Sequence, residues 1–544
     1  MRRSRRLDRR VLALVASSAL LATAACGSTV QNTGSGPVGS GAAGSAALGG
    51  DGLGGDGLSL PAAQAGTVAG QLPPGAAGLD PAQGGSAGGV AAGGTGGSPS
   101  QAGQSAPGSG APGSGAPGSQ PGSQGAPLAN APGVTATTIS IGFPYTPNYD
   151  KAQRALGNSS VTTGNLKQIA EALVKEINGA GGIAGRKLVA VFHEQDADSN
   201  ETADQRSQAL CETFTNDKKV LAVFGATSSL LRDCLRKAGV LNVSSTAASL
   251  NESEFQASPN FWDVLGMPLD TGLRNLVRQL SVQSYFKPWD TSAGAPGVAP
   301  VKMGVLGPDS DSWLPVIKNV VLPELSAAGY PVDPKNVVIY KAGDPSDTVS
   351  TIQAAVLKFR SEKVTHVLPL DTNSMVLFGG TAEKQEYRPR YGVTSSTSVQ
   401  GYAGSALLPY RQLRGALGIG WLPQVDIPES AQGTKYDGPG RKRCLDIMAR
   451  AQITFNSLNA KGAALVICDE FFSLDATVES LPRGSAINVA TFMFALERLG
   501  SFPIAGLPSG GWGPGRHYTI TDAYPYAFSE KCPCMTYGQR FPLA

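Results

Sequence analysis

The chain has 544 residues, room for two or three domains. Its 44 basic and 41 acidic side chains leave a net charge of only +3, and no basic stripe runs through it, which argues against nucleic acid as a partner. The histidines, His193, His366 and His517, stand far apart and make a poor metal set, and no cofactor is called for.

The chain opens on MRRSRRLDRR, a basic segment, followed by VLALVASSALLATAA, an apolar one that ends in small residues. This reads as an export signal, too short and wrongly flanked for a stable membrane span. No second apolar run of about twenty residues follows it. Cys26 comes directly after Thr23, Ala24 and Ala25 and resembles a bacterial lipoprotein cleavage site, although Thr23 stands where Leu is more usual. Lipidation of Cys26 would anchor the mature chain to the outer face of a membrane; ordinary signal cleavage nearby is the alternative. Arg5-Arg6 hints at twin-arginine export, but Asp8 spoils that pattern. From 27 to 133 the chain is mostly Gly, Ala, Ser, Pro and Gln, with the short repeat APGSGAPGSGAPGSQPGSQGAP. Without aromatics or a helical or strand period, nothing offsets the entropy of ordering it. It reads as a tether of about a hundred residues, with an r.m.s. reach of roughly 50–60 Å.

Ordered elements begin at 138–143, where TISIGF alternates like a strand. A loop is expected over 144–160. Leu166, Ile169, Ala170, Leu173, Val174 and Ile177 then share one helical face, and GAGGIAG turns the chain into a strand over 187–192. A helix ends near Phe214. Residues 220–224 form a short buried strand, 230–238 a helix and 240–243 another strand, each strand followed by a hydroxyl cluster: Thr227, Ser228 and Ser229, then Ser244, Ser245 and Thr246. In a parallel sheet both clusters lie at carboxyl ends of strands, where such folds bind ligands. Helix N-termini there offer free N–H groups to an anion; capping and turn formation is the plainer role for the same hydroxyls.

The rhythm then repeats. Extended 261–265, helix 270–282, strand 302–307, helix 313–328, strand 337–341, helix 350–361, strand 366–370, helix 373–384 and strand 391–394 make a second α/β unit. A strand over 417–422, two or three helices over 441–499, and short paired strands in the tail complete the chain. Six cysteines besides Cys26 in an exported chain suggest disulfides. Local pairing is the simplest arrangement: Cys211 with Cys234, Cys444 with Cys468, and Cys532 with Cys534.

In order and spacing, TISIGFPY, GGIAGRKLVAVFHEQDADSNETA, VLAVFGATSS, VLNVSSTAAS and PNFWDVL resemble the Leu/Ile/Val-binding type of extracytoplasmic solute-binding protein that serves ATP-binding-cassette importers. The likeness spans about 134–530. It implies two doubly wound parallel-sheet α/β lobes joined by a three-crossover hinge, with lobe one at 134–266 and 416–510 and lobe two at 267–415 and 511–544. It implies a small-molecule ligand in the interlobe cleft and an ABC permease as partner. By position, Thr227, Ser228, Ser245 and Thr246 match the places that hold an amino-acid carboxylate. Trp313 stands where an aromatic covers the ligand, or else it covers the core. Asp371, Thr372 and Asn373 follow a second-lobe strand; Asp371 could accept a ligand ammonium or merely cap the next helix. Ser395 and Ser396 stand where amino-acid binders carry an acidic residue; that departure admits a neutral, polar or larger organic ligand beside the amino acid that the resemblance implies.

No catalytic set accompanies these loops. G-x-S-x-G occurs only inside the Gly/Ser tether, at 84–88, where no strand or helix period frames it; H-E-x-x-H and the phosphate-loop pattern are missing, so no enzyme is expected. A lipid-anchored importer receptor is the leading expectation. A ligand-sensing receptor or surface interaction protein on the same fold is the alternative.

Overall fold

The computed structural model describes residues 129–155, 161–199, 201–225, 228–245, 250–342, 344–508 and 510–544. The leader, nearly all of the tether, and the residues Cys26, Thr227 and Thr246 lie outside them.

Two sheets organise the chain. The first holds β1 (Thr138–Tyr145), β2 (Lys187–Glu194), β3 (Ala222–Phe224), β4 (Leu241–Ser244) and β5 (Phe261–Asp263), all parallel, in the order β2-β1-β3-β4-β5. A small antiparallel pair, β6 (Trp289–Asp290) with β7 (Ala295–Pro296), precedes the second. The second takes β8 (Met303–Asp309), β9 (Val337–Lys341), β10 (His366–Pro369), β11 (Arg390–Thr394) and β12 (Leu417–Gly420) in the same parallel pattern, β9-β8-β10-β11-β12. After the pair β13 (Ser501–Phe502) and β14 (Gly510–Gly511), the tail adds β15 (Asp522–Ser529) and β16 (Cys534–Tyr537) antiparallel to the edge, with β17 (Phe541–Pro542) on β15. In each sheet the second strand pairs on one side of the first and the third on the other. Open parallel sheets of this winding bind ligands outside the carboxyl ends of their strands.

The elements follow local chemistry. Helix Leu166–Gly179 starts where the Asn165 side chain accepts the Gln168 N–H at 3.0 Å, and buries Ile169, Ala170, Leu173 and Ile177. It ends in the GAGGIAG turn, where Gly182 has φ +82° and an added Cβ would lie 2.0 Å from the Arg186 carbonyl oxygen. Helix Pro345–Ser361 begins five residues before the expected start at 350, because Asp344 accepts the Ser346 and Asp347 N–H groups and Pro345 occupies the first turn. The expected loop over 144–160 carries helix Tyr149–Ala155, tied down by Asp150, which accepts the Thr163 and Gly164 N–H groups at 2.7 and 3.1 Å. That long-range contact has no local sequence signal.

The largest correction concerns the hinge. The sequence places a strand over 417–422 at the start of the returning part of lobe one. Instead β12 pairs with β11 and β15 in the second sheet, so the chain returns after β12. Helices Pro439–Arg450, Leu458–Glu479 and Val489–Leu499 then pack on the first half, with Phe471 against Phe143 and Phe224 and Phe492 against Trp262. The chain crosses between halves three times: after β5, after β12 and before β15. The fold is therefore two doubly wound α/β halves joined by three crossovers. Disulfides Cys211–Cys234, Cys444–Cys468 and Cys532–Cys534 form, the first two each joining neighbouring helices.

Candidate functional site

A cavity of about 120 Å³ opens where the halves meet. Four of its walls are strand-end residues: Ser245 after β4, Leu265 after β5, Ser395 after β11 and Leu422 after β12. Helix Leu458–Glu479 supplies Asn459, Ala463 and Val466 from the other side. Gly462 lets that helix approach the crossover helix Pro423–Asp426, since a Cβ there would lie 2.4 Å from Val425 Cγ1.

Behind the two strand-end serines sit two buried carboxyls. The Ser245 hydroxyl donates to Glu470 Oε1 at 2.8 Å. Burial pushes Glu470 up to about 8, and nearby Asp263 and Asp469 push the same way against the hydrogen bond from Ser245. The Ser395 hydroxyl donates to Asp426 Oδ2 at 2.6 Å and accepts the Trp421 N–H at 2.8 Å. Asp426 also accepts the Leu422 N–H at 3.1 Å and the Tyr537 hydroxyl. Burial raises Asp426 to about 6, with Ser395 the strongest of the donors that hold it down. Gln424 lines the cavity while 2 % exposed, and its side-chain carbonyl oxygen finds no partner among the described residues.

Of the sequence candidates, the structure brings Ser245 and Ser395 together in this cavity. Ser228 is elsewhere: it caps helix Ser229–Lys237 through the Leu231 N–H at 3.2 Å and bonds Ser207 at 2.7 Å. Trp313 is buried in the core. Asp371 caps helix Thr372–Lys384 by accepting the Ser374 N–H at 3.1 Å, receives the Tyr340 hydroxyl, and is held above the usual carboxylate range by burial. It is the capping role, open to it in the sequence, that the geometry supplies. Thr372 stands one layer back, donating to the Ser396 carbonyl at 2.9 Å and to Ser398, a cavity residue, at 3.0 Å. Asn373 is buried, and its side-chain carbonyl has no partner among the described residues.

The sequence reading missed Asp426, Glu470 and Gln424. One signal was present: Asp469-Glu470 interrupts the apolar run ALVICDEFFSL, and adjacent acids there have no solvated face. Asp426 and Gln424 follow the carboxyl end of β12, the same position that flagged the other loops. No group of three His, Cys, Asp or Glu side chains fit for a metal gathers among the described residues.

No protein-family model matches the chain, and neither does any curated protein. Solved structures do match. A fatty acid ABC transporter substrate-binding protein from Thermomonospora curvata shares 15% identity over 76% of this chain and 94% of its own, with a TM-score of 0.51. A possible leucine/isoleucine/valine-binding protein from Rhodopirellula baltica SH 1 shares 14% over 74% and 97%, at 0.50. A solute-binding protein of an ABC transporter from Rhodopseudomonas palustris HaA2, in complex with p-hydroxybenzoic acid, shares 13% over 75% and 97%, at 0.50. The chain has the fold of ABC-transporter substrate-binding proteins. At these identities the likeness is one of fold, and the ligands differ among the three.

Proposed function

We propose that this chain is an exported, lipid-anchored binding protein that captures a small solute between its two halves and delivers it to an ABC permease, with no chemistry done on the solute. One observation carries the reading: strand-end hydroxyls from both halves, Ser245 and Ser395, face a single cavity beside the crossovers. Halves joined this way close on a ligand by hinge motion, and closure is what a permease can read. The leader, Cys26 and the long Gly/Ala/Ser/Pro segment in the sequence support export and anchoring.

A bound solute stabilises the folded chain by about 2.7 kcal/mol at about a hundred times its Kd. A concentrated metabolite extract therefore raises Tm by a few degrees in thermal-shift measurements. Ala463→Trp, which fills the cavity wall, removes that rise while circular dichroism stays unchanged. A Tm that no extract moves defeats the reading.

A further inference from the structure

The lining of the cavity narrows the chemistry of what it holds; this step rests on the solute-binding reading. Among the described residues, none that lines it is Asp, Glu, Lys, Arg or His. The internal stretches outside the description, 156–160, 200, 226–227, 246–249, 343 and 509, contain none of those residue types in the sequence either. The carboxyls behind the lining are already bonded by it: Glu470 by the Ser245 hydroxyl, Asp426 by the Ser395 hydroxyl, Asp150 by the Thr163 N–H and hydroxyl, and Asp263 by the Leu265 N–H.

A ligand charge placed here would lose its water and gain no direct counter-ion, which is unfavourable. An anion would in addition face the Asp426 carboxylate one side chain away. A cation would find Asp426 occupied by Ser395, Tyr537 and the Leu422 N–H. The wall that remains is aliphatic, from Leu265, Leu422, Val425 and Val466, with hydroxyl and amide groups set into it. The unpartnered Gln424 carbonyl calls for a hydrogen-bond donor on the ligand, because a buried acceptor left unmade is costly. A volume of about 120 Å³ lies below the ~300–1,000 Å³ of pockets for drug-sized ligands.

From this we infer that the cavity takes a small uncharged organic molecule, a branched aliphatic group bearing an N–H or O–H donor as in a primary amide or alcohol, with Gln424 as the acceptor that reads the donor. A free amino acid, carboxylate or amine is discriminated against.

The test uses one isopropyl group carried by four probes of different charge. Isobutyramide, isobutyrate, isobutylamine and valine are titrated against the full chain at neutral pH by ligand-observed NMR. Isobutyramide binds at least ~10-fold more tightly than each of the other three, and Gln424→Leu weakens it ~10-fold with little change in Tm. Failure of isobutyramide to bind, or equal binding by any charged member, overturns the inference. In a second arm the chain is incubated with a metabolite extract and examined by native mass spectrometry. A retained charged solute overturns the inference and leaves the solute-binding reading standing. No binding in either arm overturns both.

Discussion

Ser395 occupies a position where an acidic residue was to be expected in an amino-acid binder, and the structure puts the carboxylate one layer further back, at Asp426. Ser245 and Glu470 repeat that arrangement in the other half. In each pair the serine lines the cavity and its hydroxyl bonds the carboxyl behind it, so the acid shapes the site without presenting charge to it. Glu470 has a further consequence for stability. Burial lifts it from an ordinary 4.5 to about 8, so between those values the folded chain binds more protons than the unfolded one. The stability linked to it is fully present below its unfolded pKa and is lost as pH rises through about 8. Asp469, also raised by burial, adjoins it on the same helix and acts in the same sense; the Ala505 and Gly506 N–H groups and Arg441 oppose that shift, and Asp263 faces Glu470 from the first sheet. Glu470→Gln cannot ionise. Its loss of Tm between about pH 6 and about pH 9 is expected to be smaller than the parent's by ~3 °C or more. Parallel Tm curves for the two chains would show that Glu470 is not the group that titrates.

At the scale of elements, helix Leu458–Glu479 joins the cavity to the core. Its start is set by Ser457, which accepts the Ala460 N–H at 3.0 Å. One side carries Asn459, Gly462, Ala463 and Val466 to the cavity, while Phe471 fills the space over β1 and β3, and Cys468 ties it to helix Pro439–Arg450. Its closeness to helix Pro423–Asp426 depends on a missing side chain at 462. Gly462→Ala places a methyl against Val425, and such overpacking typically costs about 1–3 kcal/mol. The expected result is a lower chemical-denaturation midpoint together with weaker retention of solute from a metabolite extract, because the second crossover is pushed out of place. Retention equal to the parent's would separate this contact from the binding function.

For the whole molecule, the two sheets share one winding order, and the chain crosses between them three times beside one cavity. The proposed location depends on residues at the other end of the sequence. Cys26→Ala is expected to move the chain from the membrane pellet to the soluble fraction of exported protein, with cavity binding intact; continued sedimentation with membranes would remove the lipid anchor from the proposal. Much of the architecture was legible in the sequence, because strand and helix periods, capping residues and turn glycines act over a few neighbours. Thus β9 falls at Val337–Lys341 as expected, and the disulfides pair locally. The strand-end rule pointed to Ser245 and the family resemblance to Ser395, two residues that line one cavity. What folding alone decided was membership and depth. Leu417–Gly420 reads as a strand anywhere, and only its pairing with β11 and β15 assigns it to the second sheet. Asp371 and Asp426 are both acids near strand ends; the first closes a helix and the second braces the cavity, because long-range packing, which no local pattern encodes, sets which atoms each carboxylate meets.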